Sequence, residues 1–201
     1  MGTTDPGDPT KRQDASKRNR KWLCAIAVLA VASVAVMVLL LTRKPEPLDE
    51  PLLEDPVVAI GPRVGQRAPD FALRSLAGDT VALSEYRDQV VILDFWASWC
   101  GPCRVTFPAL HSLWRTFADR GVILIGVSLD RAAANAEAYL AETGFTDMIA
   151  LWESSEASAA VARLYFVRGI PHTFLIDRGG IVRFSGHPSR LSSGYIASIV
   201  E

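Results

Sequence analysis

An apolar run that leads into two closely spaced cysteines constrains this chain more than any other feature. Residues 90–95 are apolar except for Asp94. This pattern is typical of a central strand that is buried on both faces of a sheet. Cys100 and Cys103 follow shortly afterwards, separated by Gly-Pro. Apolar residues at helical spacing predict a helix over residues 100–120, so both thiols should lie where a buried strand passes into a helix.

The remaining segments show comparable patterns. Pro108 predicts a kink in the helix, and Gly121 predicts its end. Alternating strands and helices that finish with a hairpin predict an α/β domain with a mixed central sheet. The expected further strands are residues 122–127, 148–151, 173–176 and 181–184, and the expected further helices are residues 132–142, 156–165 and 191–200. The predicted apolar face of the first helix comprises Val105, Leu110, Leu113, Trp114 and Phe117.

By composition, the 201-residue chain divides into four parts. Residues 1–21 hold six bases against three acids and predict a disordered basic tail. Residues 22–41 contain no charged side chain, and as a helix they would span about 30 Å, the thickness of a bilayer's hydrocarbon core. Residues 42–62 contain five prolines and five acids and predict an extended tether. Residues 63–201 are long enough to form one globular core.

The uncharged run predicts one uncleaved transmembrane helix. The main alternative is a cleaved signal peptide, whose apolar segment would be shorter and would end at a small-residue cleavage site. Here the apolar run continues past the small residues Ala32 and Ala35, which favours the uncleaved helix. Six bases precede the run and only Arg43 and Lys44 closely follow it, which predicts a cytoplasmic N-terminus. We expect a single-pass plasma-membrane protein that contacts lipid through residues 22–41 and has its domain on the extracytoplasmic side. The globular part, with 13 bases against 14 acids, gives no sign of a nucleic-acid surface.

The cysteine pair has the features of a redox-active dithiol. A thiol at the start of a helix meets unpaired backbone N–H groups and the positive end of the helix dipole, and both favour the nucleophilic thiolate. Cys103 lies one turn further on, close enough to attack a mixed disulfide on Cys100. The expected redox group is the Cys100–Cys103 disulfide itself, with no other cofactor and no metal. A structural disulfide remains an alternative, as does a metal site in which His172 joins the two cysteines.

Three segments together resemble the thioredoxin superfamily. Trp-Cys-Gly-Pro-Cys at residues 99–103 follows a buried strand, and Gly-Ile-Pro at residues 169–171 precedes a later one. The opening Val-Gly-Gln-Arg-Ala-Pro-Asp-Phe at residues 64–71 is similar to that of the membrane-anchored TlpA/ResA-like branch and is shared with peroxiredoxins. The resemblance implies a thioredoxin fold with an N-terminal extension and a central insertion, here at residues 132–151, preceded by one transmembrane helix.

The resemblance also implies roles for residues around the dithiol. Pro171 would be cis and would pack beside the cysteines, with the backbone of Ile170 pairing with a substrate strand. Trp99 would pack around the active-site helix and contact or shield the substrate. Asp94 matches the buried acid of thioredoxin, and we expect it to accept a proton from Cys103. The alternative for Asp94 is a structural acid, hydrogen-bonded at a strand end.

Two further positions bear on the site, and one of them, Thr106, weakens a direct transfer of roles. His172 directly follows the Ile-Pro pair and is a candidate modulator of the thiolate, or else an ordinary strand residue that faces away. ResA-like members carry a glutamate three residues after the second cysteine, where this chain has Thr106. A role in cytochrome c maturation is therefore a weaker expectation than general disulfide chemistry.

We expect an enzyme, a thiol-disulfide oxidoreductase that reduces exported proteins and is itself reduced by a membrane electron donor. Its substrates would be protein disulfides and dithiols, attacked by Cys100 and released by Cys103. A thiol peroxidase is one alternative, suggested by the opening at residues 64–71, although the Thr-x-x-Cys motif of those enzymes is missing before Cys100. A copper carrier for oxidase assembly is another, although such proteins space their cysteines by three residues and use a paired histidine.

Overall fold

A computed structural model describes Ser33, residues 37–40 and residues 58–201. The predicted basic tail, most of the predicted membrane span and residues 42–57 of the predicted tether lie outside the described residues. Ser33 and residues 37–40, which belong to the predicted span, are helical. Among the described residues, none of the helices combines the length and the apolar character needed to cross a bilayer.

One compact unit extends over Pro56–Glu201. Its strands, within the described residues, are β1 (Ala72–Arg74), β2 (Thr80–Ala82), β3 (Val90–Trp96), β4 (Val122–Ser128), β5 (Ile149–Leu151), β6 (His172–Ile176) and β7 (Val182–Gly186). Its α-helices are α1 (Gly101–Arg115), α2 (Ala133–Thr143), α3 (Ser155–Leu164) and α4 (Ser193–Val200). Short 3-10 turns cover Leu83–Tyr86, Ala118–Arg120 and Pro188–Arg190.

The central sheet is mixed, as predicted, with the strand order β5-β4-β3-β6-β7. β3 pairs in parallel with β4 and antiparallel with β6, and β4 continues in parallel to β5 at the edge. Every residue of β3 is buried, as the continuous apolar run predicts for a central strand. A separate antiparallel hairpin, β1–β2, precedes this sheet in the chain.

The two faces of β3 belong to two different cores, because successive side chains along a strand point to opposite sides. Ile92 and Trp96 pack with α1, α2 and α4, and the Trp96 ring lies 5.2 Å from that of Phe107. Leu93 and its neighbours on the other side pack with α3, with Tyr165 at its C-terminal cap and with the β1–β2 hairpin. The helix that carries the cysteines therefore covers the face to which Ile92 and Trp96 belong.

The predicted helix over residues 100–120 was too long. α1 ends at Arg115, because the N–H and hydroxyl of Thr116 both bond to the Leu113 carbonyl, at 3.2 and 2.7 Å, and tighten the last turn. Gly121, with a φ of 79°, closes the 3-10 turn that follows.

The predicted apolar face of α1 was wrong at one position, since Val105 is 79% exposed. The buried residues of the helix follow a stripe through Cys103, Phe107, Leu110 and Trp114. Val105 is five positions from Leu110, which places it about 140° away from that stripe at 3.6 residues per turn.

Residues before the predicted domain start at 63 also join the unit. Gly61 donates its backbone N–H to the Arg67 carbonyl at 2.9 Å, and Ala68 donates to the Gly180 carbonyl at 2.9 Å. Gly65 donates to the Val182 carbonyl at 2.8 Å. The chain therefore enters the domain beside the turn that connects β6 and β7.

Candidate active site

The two cysteines lie at the N-terminus of α1. Cys100 is the N-cap residue, and its sulfur accepts the Cys103 backbone N–H at 3.1 Å. Pro102 occupies the first turn, where a missing N–H leaves no helical hydrogen bond unmade. The sulfurs form a disulfide, with 5.2 Å between the two Cα atoms. The sequence-predicted dithiol is therefore assembled at the end of a helix dipole that favours a thiolate on Cys100 once the bond is reduced.

The surroundings of the two sulfurs differ. Cys103 is 1% exposed and belongs to the core beneath α1. Cys100 is 4% exposed and belongs to the same core, but Trp99, the loop residue directly before it, is 64% exposed, although the sequence predicted that Trp99 packs around the helix. Cys100 is therefore the cysteine that adjoins the exposed Trp99, whereas Cys103 lies one turn further along the buried face of α1.

The loop before β6 approaches the disulfide. The Ile170–Pro171 bond is cis, as the resemblance implies. The Ile170 carbonyl oxygen lies 3.7 Å from the Cys100 sulfur, close enough to accept a hydrogen bond from the thiol form. The expected pairing of the Ile170 backbone with a substrate strand stays a prediction, as does the substrate contact of Trp99.

Asp94 lies on the face of β3 that α1 covers, two residues from Trp96 and two from Ile92. Its side chain is 1% exposed, and Thr173 donates a hydrogen bond to Oδ1 at 2.6 Å. Burial raises the pKa of Asp94 to about 7, and the Thr173 hydrogen bond opposes that rise. The neighbouring strand places Gly126 opposite Asp94. This carboxyl group can therefore gain and lose a proton near neutral pH, as a relay to Cys103 requires.

His172 lies on the opposite face of the sheet from Asp94. Its ring is 4.9 Å from that of Phe174, and Nε2 is 3.0 Å from Ser185 Oγ. Burial lowers the pKa of His172, and the nearby charge of His187 lowers it further. This is the position expected of an ordinary strand residue, and the modulating role of His172 stays a prediction.

The metal-site alternative is not assembled around the dithiol. Across the described residues, no group of three His, Cys, Asp or Glu side chains is arranged to hold a metal ion. In particular, His172 points to the far side of β6 from the helix that carries Cys100 and Cys103.

Thr106 lines a groove beside α1 with a volume of about 300 Å³. Its hydroxyl donates to carbonyl oxygens of its own helix, to Pro102 at 3.1 Å and to Cys103 at 3.4 Å. The groove walls are otherwise mostly apolar, with Val105 and Leu191 among them. The chain therefore offers no carboxylate at the position where ResA-like proteins carry a glutamate.

Sequence reasoning missed Asp130, which lies just beyond the end of β4 and is fully buried. Its carboxylate binds Ser98, in the loop that leads to Cys100. The signal that could have revealed it is positional: the carboxyl ends of the parallel strands β3 and β4 meet at one edge of the sheet. A polar residue directly after β4 should therefore lie near the dithiol loop.

Comparison with known proteins agrees with this geometry. Residues 64–185 match the AhpC/TSA family. The chain is 34% identical over 120 residues to the thiol-disulfide oxidoreductase ResA of Geobacillus thermodenitrificans, covering 60% of this chain and 67% of that protein. It is 31% identical over 126 residues to the thioredoxin-like protein YneN of Bacillus subtilis, covering 62% and 71% of the two chains.

A solved structure extends the likeness to the fold. The crystal structure of a thiol:disulfide interchange protein assigned as DsbE, from Chlorobium tepidum, is 34% identical and superposes with a TM-score of 0.62. The match covers 69% of this chain and 99% of that one. Such enzymes use their cysteine pair and need no cofactor. The chain belongs to the AhpC/TSA family and is a thioredoxin-like thiol-disulfide oxidoreductase of the ResA/DsbE type.

Proposed function

We propose that this oxidoreductase is a membrane-tethered, extracytoplasmic reductase of disulfides in exported proteins. Asp94 is the observation that carries the direction of electron flow. A dithiol becomes a strong oxidant when its reduced, thiolate form is stabilised. A buried carboxyl group under the same helix has the opposite effect, because its negative charge disfavours a thiolate nearby.

The reaction exchanges one disulfide for another. The Cys100 thiolate attacks one sulfur of the substrate disulfide, so a bond to Cys100 forms and the other substrate sulfur leaves as a thiolate. Cys103 gives its proton to Asp94 and attacks the Cys100 sulfur. The second substrate sulfur then leaves as a thiolate, the substrate has gained two electrons, and the Cys100–Cys103 disulfide is restored. A membrane dithiol donor would reduce that disulfide for the next cycle.

Support for the tether comes from the uncharged run at residues 22–41 and its basic flank. The chain enters the domain beside the β6–β7 turn, at the end of the sheet where β3 begins. The dithiol follows the other end of β3, a seven-residue strand of about 23 Å at 3.3 Å per residue. The cysteines therefore lie at the end of the sheet opposite the one at which the chain enters the domain.

Labelling in intact cells tests the location. In a full-length Cys24→Ser/Cys103→Ser variant, Cys100 is the one remaining cysteine. A membrane-impermeant maleimide should label it without lysis, and the protein should sediment with membranes and resist extraction by alkaline carbonate. Labelling that appears only after lysis would contradict an extracytoplasmic domain, and release by carbonate would contradict an integral anchor.

Trapping tests the substrate class. Without Cys103, the mixed disulfide on Cys100 cannot be resolved, so Cys103→Ser should accumulate exported proteins bound through their cysteines. The Cys100→Ser variant is the matched control, since it removes the attacking sulfur and should trap none of them. Equal trapping by both variants, or hydrogen peroxide turnover without a disulfide substrate, would contradict the assignment.

A further inference from the structure

Asp130 is a buried carboxylate that the disulfide exchange does not itself require. It lies just beyond β4 and is 0% exposed. The segment around it is held on both sides: the Leu129 N–H donates to the Trp96 carbonyl at 2.8 Å, and the Trp152 indole donates to the Asp130 carbonyl at 2.9 Å. A buried charged group is costly unless its oxygens receive hydrogen bonds, so its partners indicate what it stabilises.

Two of the donors to this carboxylate belong to a single residue, Ser98. The Ser98 backbone N–H lies 3.0 Å from Oδ2, and its hydroxyl lies 2.6 Å from Oδ1. The Ser128 hydroxyl donates to Oδ2 at 2.8 Å and completes the set. A carboxylate accepts but cannot donate hydrogen bonds, and bonds to an ionised acceptor are about twice as strong as neutral ones. Asp130 therefore holds Ser98 by main chain and side chain together.

Ser98 stands between the end of β3 and the attacking sulfur. The Cys100 N–H bonds back to the Ala97 carbonyl at 3.1 Å, which makes a turn with Ser98 and Trp99 in its middle. The direction of the Cys100 sulfur toward the first N–H groups of α1 depends on the backbone of this turn. Its 3.7 Å approach to the Ile170 carbonyl depends on the same backbone.

We propose that Asp130 is a positioning residue that fixes Cys100 through Ser98, and so keeps the attacking thiolate at the N-terminus of α1. The proposal rests on the role of Cys100 as the attacking thiol. With Ser98 released, the turn would sample other conformations in which the sulfur is further from the helix N–H groups. The thiolate would then be less stabilised, and attack on a disulfide would be slower.

The test uses the full chain in detergent and two measurements. In a Cys24→Ser/Cys103→Ser background, the rate of Cys100 alkylation by iodoacetamide is followed against pH. In the otherwise native chain, kcat/KM is measured for reduction of insulin disulfides. Ser98→Ala, which keeps the Asp130 charge, should move the alkylation midpoint to higher pH and lower kcat/KM about tenfold. Asp130→Asn should also lower kcat/KM.

Two further variants separate positioning from general damage. Ser98→Thr keeps the hydroxyl donor and should restore the parent midpoint and rate. Ser158→Ala is the matched control, because Ser158 is a fully buried serine of α3 whose hydroxyl has no hydrogen-bond partner among the described residues. It should leave both measurements unchanged.

Three results would overturn the proposal. Ser98→Ala could behave like the parent in both measurements while only its free energy of unfolding falls, which would make the Asp130 contacts purely structural. Asp130→Asn could change the rate while Ser98→Ala does not, which would assign the effect to charge. Ser98→Thr could have the low kcat/KM of Ser98→Ala, which would show that the hydroxyl group at this position does not position Cys100. A wrong reductase assignment would abolish insulin reduction in the parent as well, whereas alkylation of Cys100 is independent of the direction of electron flow. The alkylation midpoints therefore test the positioning role even if the proposed function fails.

Discussion

Asp94 is an acid whose surroundings prepare it to exchange a proton near neutral pH. Burial against the core beneath α1 disfavours its charged form, and the 2.6 Å hydrogen bond from Thr173 only partly offsets that effect. Gly126, opposite it on β4, contributes no side chain that could pair with the carboxylate. A proton acceptor with a pKa near the working pH is the kind that general base catalysis favours.

The Asp94→Asn variant should slow the release of substrate from the mixed disulfide. An amide cannot take the proton of Cys103, so we expect a decrease of about 100-fold at pH 8. In the parent, release should slow as the pH falls through about 7, because Asp94 becomes protonated. In the variant this step in the profile should vanish. Single-turnover release of a fluorescent thiol from Cys100, followed against pH, measures the rate at pH 8 and the step near pH 7 in each protein. Identical pH profiles for the parent and the variant would exclude Asp94 as the proton acceptor.

Asp94 should also make the stability of the oxidised protein depend on pH. Its pKa is higher in the folded chain, about 7, than the ordinary value of 3.8. The folded state therefore binds the extra proton between these two values, so stability declines as the pH rises from 3.8 and the loss is complete once the pH has passed about 7. Asp94→Asn should remove that decline and raise the free energy of unfolding at pH 8, by up to roughly 4 kcal/mol. Urea unfolding at pH 5 and pH 8 tests this, and an equal decline in both proteins would contradict it.

At this scale, the sequence predicted the position of a residue where one residue type stands out in one pattern. Cys100 and Cys103 are marked by their spacing, and Asp94 by being the one acid in an apolar strand. Asp130 carries no such mark, because its importance arises only when β4 is paired beside β3 and brings it to Ser98. A contact between residues far apart in the chain, such as this one, cannot be predicted from the sequence until the pairing of the strands is known.

α1 packs on the sheet formed by β3 and β4, and this packing depends on the absence of a side chain at Gly126. A Cβ on Gly126 would collide with the terminal methyl of Met148 and would lie 2.8 Å from Trp96 Nε1. Met148 can move, but Trp96 is enclosed between Phe107 and Tyr139, with ring centroids at 5.2 and 5.4 Å. The glycine therefore lets Trp96 fill the space beneath the active-site helix.

Gly126→Ala should destabilise the fold by about 1–3 kcal/mol, because overpacking forces the Trp96 ring to shift. Gly194→Ala is the matched control: Gly194 lies in the first turn of α4, and in the part of the chain that the structure describes a Cβ there would meet no atom within 4 Å. That change should be neutral, or stabilising by up to about 1 kcal/mol through helix propensity. Urea unfolding compares the two, and equal effects would mean that the space at Gly126 is not tight.

The elements themselves were predictable in proportion to their length and periodicity. β3 and β4 are apolar runs with no competing interpretation, and both occur where the sequence predicts them. β1 and β2 have three residues each, too few for an alternating pattern to stand out, so the hairpin was not predicted. The end of α1 depends on the local hydrogen bonds of Thr116, which compete with an apolar pattern that continues to Phe117.

At the scale of the whole molecule, the domain should work without the segment that precedes it. Pro56–Glu201 contains both cores and every residue placed at the active site. A chain beginning at Pro56 should keep the reduction potential of the full-length protein but no longer sediment with membranes. Fractionation and redox titration of both chains check this. A truncated chain that stays with membranes, or one with a shifted potential, would contradict the division into anchor and catalytic domain.

The reduction potential of the Cys100–Cys103 pair tests the central claim most directly. It is measured on the full chain by equilibration in defined mixtures of reduced and oxidised dithiothreitol, with the two redox forms separated after acid quenching and alkylation. A reductase with Gly-Pro between its cysteines and a buried acid beneath them should have a potential near that of thioredoxin, about −270 mV. A value near −120 mV, typical of a strong disulfide-forming oxidant, would contradict the proposed direction of electron flow.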